Sequence, residues 1–488
     1  MSIRRHTLFN LVGAIIPMFV LLITVPLYLN ILGDVRYGVL ALVWLILGYF
    51  GFLEMGLGKA TANHIARLQD STAQERGDIF WTALSVNAAF GMFAALFFWG
   101  IGSYLLTSVL KIPIGFQGEV LAALPWMVAT LPLTLVSSVL NGALEGSNKF
   151  LVVNGLQVTS TVVFQVFPLF IAYTYSPSLI VVIPAALLSR GLMNVFFLVA
   201  CFRYVPLGPR PTFSIIAAKS LLSFGGWVAI SGMIIPLLST IDRFFIGIIL
   251  GAQSVTFYTV PSQLVNKASV IPGSLCRALF PRFSAHKPED ADKIAIKSLV
   301  ALLVIITPIV IGGMLFLNPF MSVWIGGDMA SIASSLGEIF FIGVWINALG
   351  HIPYFLLQGK GEPDVAAKIH LFQLIPYILF LWVALKVWGI YGAAWIWSFR
   401  FLIDALLLFR FSGLSAQVMS MLVSPGVMVV SALFSAQYIA GENWVWRVVL
   451  ALLYAVWMVF WFKKNQKVGL LTDFFLFRKF RNNFEIIK

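Results

Sequence analysis

Four basic residues interrupt long apolar stretches of the sequence: Arg190, Arg243, Lys267 and Arg400. Arg190 is the clearest case, because it lies at the centre of "LIVVIPAALLSRGLMNVFFLVAC" (179–201). An arginine in the middle of a membrane-spanning helix costs roughly 2.5–3.5 kcal/mol on insertion scales. A guanidinium binds phosphate through its planar fork, and an ammonium acts as a point charge. Each of these charges is therefore either neutralised by a neighbouring side chain or has a function, such as binding phosphate.

Arg190 and Arg400 differ in the residue that follows one helical turn later. Arg190 is followed one helical turn later by Asn194, whereas Arg400 is followed by Asp404, which could neutralise it. We therefore expect Arg190 to face a polar interior and Arg400 to have a structural role as a helix clamp. Both remain candidates for substrate binding.

Four carboxylates also fall within apolar stretches: Asp242, Asp404, Glu54 and Glu338. A carboxylate inside a membrane can bind and release a proton, so these four are candidates for ion coupling. Each also has a structural alternative. Asp242 could neutralise Arg243 or Lys267, and Glu54 and Glu338 lie close enough to span ends to be solvated.

The composition identifies the class of protein that carries these charges. The chain has 488 residues, of which 60% are hydrophobic and 10% charged, whereas soluble domains carry about 25% charged residues. It is therefore an integral membrane protein. The net charge of +13 does not indicate nucleic-acid binding, because the basic residues lie in loops between apolar spans. With two cysteines, Cys201 and Cys276, no disulfide framework is expected.

A bilayer requires about 20 apolar residues per helix, and this criterion predicts an all-α polytopic protein with about fourteen spans. The first begins with a basic flank but is too long for a signal peptide and should stay as a helix. The predicted spans are 8–32, 37–57, 79–105, 119–140, 151–173, 179–201, 222–250, 254–280, 294–317, 332–356, 366–386, 390–409, 418–438 and 444–462.

The distribution of Lys and Arg predicts the orientation. If the N-terminus is cytoplasmic, 24 of the 32 basic residues face the cytoplasm. Four lie in spans and four outside, the latter being Arg36, Lys111, Lys386 and Arg447. This asymmetry predicts that both termini are cytoplasmic.

An internal repeat divides the spans into two groups. "LEGSNKF" (144–150) opens span five and "LQGKGEP" (357–363) opens span eleven, with Arg190 and Arg400 following at similar distances. "LNILGDVRYGVL" (29–40) and "GIILGAQSVTFYTV" (247–260) likewise end spans one and seven. We predict two six-helix lobes in a parallel repeat, 1–218 and 219–412, followed by two additional helices and a basic tail in 413–488.

At the level of longer segments, the chain resembles a known family. The runs "IDRFFIGIILGAQSVTFYTVPSQLVNKASVIPGSLCRALFPRFS" (241–284) and "TVPLYLNILGDVRYGVLALVWLILGYFGFLEMGLGKA" (24–60) are similar to helices of oligosaccharide flippases. These form the polysaccharide-transporter branch of the multidrug/oligosaccharidyl-lipid/polysaccharide exporter superfamily. The resemblance covers nearly the whole chain.

The resemblance implies a bacterial inner-membrane protein that moves an undecaprenyl-pyrophosphate-linked oligosaccharide between leaflets by alternating access. Ion coupling by protons or sodium, contact with membrane lipids and association with glycan polymerase machinery belong to the same expectation. In such a protein Arg243 and Lys267 would hold the pyrophosphate. The sequence has no G-x-x-x-x-G-K-[ST] motif for ATP, and we predict neither a cofactor nor a metal.

Three other functions compete with this interpretation. A cation or drug antiporter of the same superfamily would favour acidic residues in the central spans, whereas here the central charges are mostly basic. A membrane glycan polymerase or glycosyltransferase would be an enzyme with a sizeable loop outside the membrane, and the loops here are short. A peptidoglycan-precursor flippase is a close variant of the first interpretation.

Overall fold

The computed structural model describes residues 3–68, 71–208, 211–439 and 443–466; side chains at 3–15, 45–57, 223–236 and a few single positions lie outside the description. These residues form α-helices, short π and 3₁₀ segments and turns, without a strand. The helices are α1 (Ile3–Arg67), α2 (Ala73–Tyr104), α3 (Ile114–Gly146), α4 (Phe150–Thr174), α5 (Leu179–Tyr204), α6 (Ile215–Ile249), α7 (Ala252–Val265), α8 (Val270–Ala285), α9 (Pro288–Trp324), α10 (Gly327–Gly359), α11 (Pro363–Ser412), α12 (Ser415–Phe434) and α13 (Trp444–Gln466).

Two of these helices each contain two of the predicted spans. In α1 the backbone breaks at Gly33, with φ 76° and ψ 168°, between spans 8–32 and 37–57. In α11 it breaks at Gly389, with φ 59° and ψ −142°, between spans 366–386 and 390–409. A positive φ is readily adopted only by glycine, so both breaks are encoded locally.

One predicted span is composite. The span 254–280 consists of α7, a 3₁₀ turn over Asn266–Ser269, and α8. The turn places Lys267 where the regular helix is interrupted.

The protein is an all-α, multi-pass membrane protein, and the predicted spans lie on helical segments, span 254–280 on more than one of them. Within the described residues, ten helical segments are long and apolar enough to cross a bilayer. The prediction of an all-α polytopic fold is confirmed.

The chain forms two compact units, Met1–Thr256 and Phe257–Lys488. The boundary between them follows span seven, and the lobe boundaries at 218 and 412 stay a prediction. In the first unit α1 packs on α3, α4 and α6, and α3 also packs on α2 and α5. The α1–α3 contact is very close, because a Cβ at Gly142 would lie 2.2 Å from the Gly58 carbonyl oxygen. Small residues allow such an approach between membrane helices.

In the second unit α10 is the central helix, flanked by α8, α9 and α11. Edge-to-face aromatic contacts hold part of this interior: Phe340 of α10 lies 4.9 Å from Tyr258 and 5.2 Å from Trp397, measured between ring centroids. The last two helices, α12 and α13, pack on α9. They therefore belong to the second unit's packing rather than to a separate body.

Candidate functional site

Arg190 lies in the interior of the first unit, where three helices meet. It extends from the middle of α5, is partly buried, and donates a hydrogen bond through Nη1 to the Thr134 hydroxyl of α3. Its guanidinium carbon is 5.0 Å from the ring centroid of Phe164 on α4, which is a cation–π contact. The ring of Trp44 lies 4.5 Å from that of Phe164. The helices α3, α4 and α5 thus hold a fixed positive charge at mid-span.

Polar side chains continue from Arg190 along α3 and α5. Asn194 donates to the carbonyl of Leu133 at 2.8 Å, and its own carbonyl oxygen accepts from the hydroxyl of Ser137. One turn further, Asn141 donates to the Ser137 carbonyl at 2.8 Å and accepts from Gln157 of α4 at 3.2 Å. Intramembrane polar groups face a bundle interior or a water-filled cavity. This face of the unit is therefore its polar interior.

Next to Phe164 in the sequence, Gln165 joins α4 to the first half of α1. Its backbone carbonyl accepts from the Tyr28 hydroxyl at 2.9 Å, and its side-chain oxygen accepts from Thr24 at 3.4 Å. The first span is therefore tied to the helix that carries the ring beneath Arg190.

The predicted pair Arg243 and Lys267 is divided between the two units. Arg243, on α6 of the first unit, interacts electrostatically with Tyr37 of α1. The side chain of Lys267, in the 3₁₀ turn of the second unit, makes no hydrogen bond or ion pair with the described residues of that unit. Asp242 is 1% exposed, and its carboxylate accepts from the backbone N–H of Arg243 at 2.9 Å.

Arg400 has different surroundings from Arg190. It is buried in the second unit, with its guanidinium carbon 4.2 Å from the centroid of Phe401 and 5.4 Å from that of Tyr377. Asp404 accepts from Gln373 at 2.8 Å and lies 3.2 Å from His370 Nε2. The Asp404 carboxylate therefore contacts Gln373 and His370 in the first half of α11 and does not act as a counter-ion of Arg400 alone.

The two arginines nevertheless share one contact at matching positions of the repeat. Phe164 lies 18 residues after Gly146, and Tyr377 lies 18 residues after Gly359. Each ring faces the arginine of its own unit, Arg190 at 5.0 Å and Arg400 at 5.4 Å. The equivalence suggested by the sequence thus extends to a contact between side chains.

Glu338 is buried in the second unit, with 4% of its surface exposed, so the solvated alternative is wrong for this residue. Its carboxylate hydrogen-bonds to Gln437 and interacts with Arg447. Arg447, expected on the outer side at the start of span 444–462, lies buried in α13 and donates to the Leu315 carbonyl of α9. The side chain of Glu54 lies outside the described residues.

Several residues of these clusters were not identified from sequence, among them Thr134, His370, Gln373 and Gln157. Hydroxyl and amide side chains are common in membrane helices, so a single one carries little information. Their helical spacing was the available signal, because residues three or four apart share a face. Within the described residues, no group of three or more His, Cys, Asp or Glu side chains could hold a metal ion.

Comparisons with known proteins identify the family of the chain and proteins that share its fold. A family model described as "Polysaccharide biosynthesis protein" matches residues 31–334. A Shigella flexneri protein named "Putative O-antigen transporter" is 29% identical over 417 residues, which are 84% of this chain and 97% of that protein. The "Teichuronic acid biosynthesis protein TuaB" of Bacillus subtilis is 23% identical over 202 residues, 41% of this chain and 42% of that protein.

The fold is shared with solved transporter structures, among them a lipid II flippase and a multidrug resistance transporter. The lipid II flippase MurJ in an inward closed conformation aligns with a TM-score of 0.68 at 14% identity, covering 94% of this chain and 98% of MurJ. An inward-facing multidrug resistance MATE transporter of the MOP superfamily aligns with a TM-score of 0.61 at 17% identity, covering 86% and 96%.

Proposed function

The chain belongs to the polysaccharide biosynthesis protein family, and from this premise we propose that it flips an undecaprenyl-pyrophosphate-linked oligosaccharide across the bacterial inner membrane by alternating access. The Shigella flexneri relative is named a transporter and MurJ a flippase, and neither is named as an enzyme. The match to the Shigella flexneri relative extends over nearly its whole length. Transport of a lipid-linked oligosaccharide is therefore the activity that the family supports.

The observation that carries the proposal is the position of Arg190. A flippase must move a pyrophosphate through a low-dielectric region, where a bare charge costs several kcal/mol or more. Arg190 is fixed at mid-span by Thr134 and Phe164, in a polar interior formed by α3, α4 and α5. An arginine held in this way can bind phosphate oxygens through its planar fork.

Arg243 and Lys267 complete the proposed set of cations. Arg243 would contact the pyrophosphate through more than one N–H, whereas Lys267 would supply charge alone. The cluster of Asp404, His370 and Arg400 is a candidate for ion coupling, because a buried carboxylate beside a histidine can bind a proton. Asp242 and Glu338 remain further candidates for ion coupling.

The proposed orientation places both termini in the cytoplasm, following the excess of basic residues in the predicted cytoplasmic loops. The substrate would then be loaded at the ends where α4 begins and α5 terminates. The alternative of a cation or drug antiporter has one observation in its favour, the shared fold with MATE transporters. In such an antiporter, binding of the cation or drug would depend on carboxylates rather than on Arg190.

The test uses a bacterial strain that lacks its own flippase and receives this chain. We expect Arg190→Gln and the double variant Arg243→Ala with Lys267→Ala to abolish surface glycan and to leave lipid-linked units in the cytoplasmic leaflet. Lys267→Arg should retain partial export, and Arg243→Lys should retain less. Lys386→Ala is the matched control, because it also removes a basic residue, but one that is exposed and lies near the Gly389 break. Its Nζ is 3.7 Å from the ring centroid of Trp382.

Membrane abundance, measured in parallel, separates binding from folding. If Asp242 and Lys267 are only a structural pair, alanine variants should lower abundance, and Asp242→Asn with Lys267→Gln should restore it. Normal export from an abundant Arg243→Ala, Lys267→Ala protein would refute the pyrophosphate site. Failure of the unmodified chain to restore export would refute the proposed function.

A further inference from the structure

The helix α4 carries a line of polar side chains on one face. Gln157, Thr161 and Gln165 follow at intervals of four residues and therefore lie above one another along about 12 Å of helix. Phe164, whose ring contacts Arg190, belongs to the same face. Gln157 is exposed, and Thr161 and Gln165 are partly so. We call Gln157, Thr161 and Gln165 the α4 polar line.

A matching line runs along α3. Thr130, Thr134, Ser137 and Asn141 are spaced by four, three and four residues and so share one helix face. The contacts between the two helices show that these faces meet: Gln157 bonds to Asn141 at 3.2 Å, and Arg190 connects Thr134 with Phe164. Neutral hydrogen-bonding groups thus extend from Arg190 toward the end where α4 begins.

After the hydrogen bonds inside each helix are formed, several donors and acceptors of these side chains can still bind a ligand. The hydroxyl of Thr161 donates to the carbonyl four residues before it, at 2.9 Å, which leaves its oxygen as an acceptor. A glutamine side chain offers two donors and two acceptor sites. Within the described residues, Gln157 uses one of its donors in the hydrogen bond to Asn141. Such groups would be costly in a membrane unless water or a ligand satisfied them.

We propose that the α4 polar line, opposite the α3 line, binds hydroxyl groups of the sugar residues while Arg190 holds the pyrophosphate. This inference rests on the proposed function and adds to it the part of the chain that distinguishes one glycan from another. Amides and hydroxyls both donate and accept, as sugar hydroxyls do, whereas they hold no charge that would favour phosphate. Specificity for the glycan and affinity for the pyrophosphate are therefore carried by different residues.

Two ligands separate these roles: undecaprenyl pyrophosphate without sugar, and the complete lipid-linked oligosaccharide extracted from the strain that makes it. Their dissociation constants are measured with purified full-length protein in lipid nanodiscs. Gln157→Leu and Thr161→Val should each weaken binding of the oligosaccharide by about two- to twelvefold, the range for one lost hydrogen bond. Binding of the sugarless ligand should not change. Arg190→Gln should weaken both.

Thr159→Val is the matched control. Thr159 lies on the same helix, is exposed, and donates to the carbonyl four residues before it like Thr161, but it lies on the opposite face. It should leave both constants unchanged. A purely structural role for the α4 polar line would instead lower membrane abundance without separating the two ligands.

The outcomes are distinct. If Gln157→Leu and Thr161→Val bind both ligands as the unmodified chain does, or weaken both equally, the inference about sugars is wrong and the proposed function stands. If the unmodified chain binds neither ligand, the proposed function fails and the inference fails with it.

Discussion

A very close approach of neighbouring backbone makes Gly38 a sharp test of the packing in the first unit. A Cβ added there would lie 1.8 Å from the carbonyl oxygen of Ala252 and 2.7 Å from the hydroxyl of Thr256. Ordinary contacts of this kind begin at about 3.4 Å. Gly38→Ala therefore forces α1 and α7 apart by more than 1 Å, because the carbonyl belongs to backbone and cannot rotate away.

The cost has two parts. Overpacking of a close contact costs about 1–3 kcal/mol. The movement also stretches the hydrogen bond from the Thr256 hydroxyl to the carbonyl of Asp34, which is 2.6 Å long and contributes about 1 kcal/mol. We therefore expect Gly38→Ala to lower the free energy of unfolding by about 2–4 kcal/mol.

Unfolding of the purified protein by SDS in mixed micelles, followed by tryptophan fluorescence, measures this loss. Gly100→Ala is the control: it lies inside α2 with no atom within 4 Å of an added Cβ. That change should be neutral or stabilise the helix by up to about 1 kcal/mol. Equal stability of Gly38→Ala and Gly100→Ala would refute the close packing of α1 on α7.

Two further predictions concern the ends of the spans. Both carboxylate oxygens of Glu119 accept from the single Nε–H of Arg36 at 3.0 Å, and Oε1 also accepts from the N–H of Leu179 at the start of α5. Glu119→Gln should lower the free energy of unfolding by about 1–3 kcal/mol, and Arg36→Met combined with Glu119→Leu should recover part of that loss; strictly additive losses would contradict a coupled pair. For the orientation, Asp328→Cys should react with an impermeant thiol reagent in intact cells and Lys287→Cys should not, while the two native cysteines are buried. Labelling at 287 would reverse the proposed topology.

Several features of the fold follow from local sequence. The length of each apolar run predicts a span, because a helix must satisfy its own backbone hydrogen bonds in lipid. Gly33 and Gly389 interrupt α1 and α11 at positions that lie between predicted spans. The repeat itself stays a prediction, although Arg190 and Arg400, which it makes equivalent, each contact an aromatic ring at a matching sequence position.

The sequence alone determined that this is a polytopic α-helical protein with cations inside its spans, since apolarity, helix length and charge are properties of consecutive residues. Tertiary structure decided which side chains surround each of those charges. It set Arg190 against Thr134 and Phe164, and it brought His370 to Asp404 across the break in α11. It also buried Glu338, which sequence position suggested was solvated. The physical reason is that the rotation of each helix about its axis, fixed by close packing at glycines and by polar contacts, selects the face that meets its neighbours.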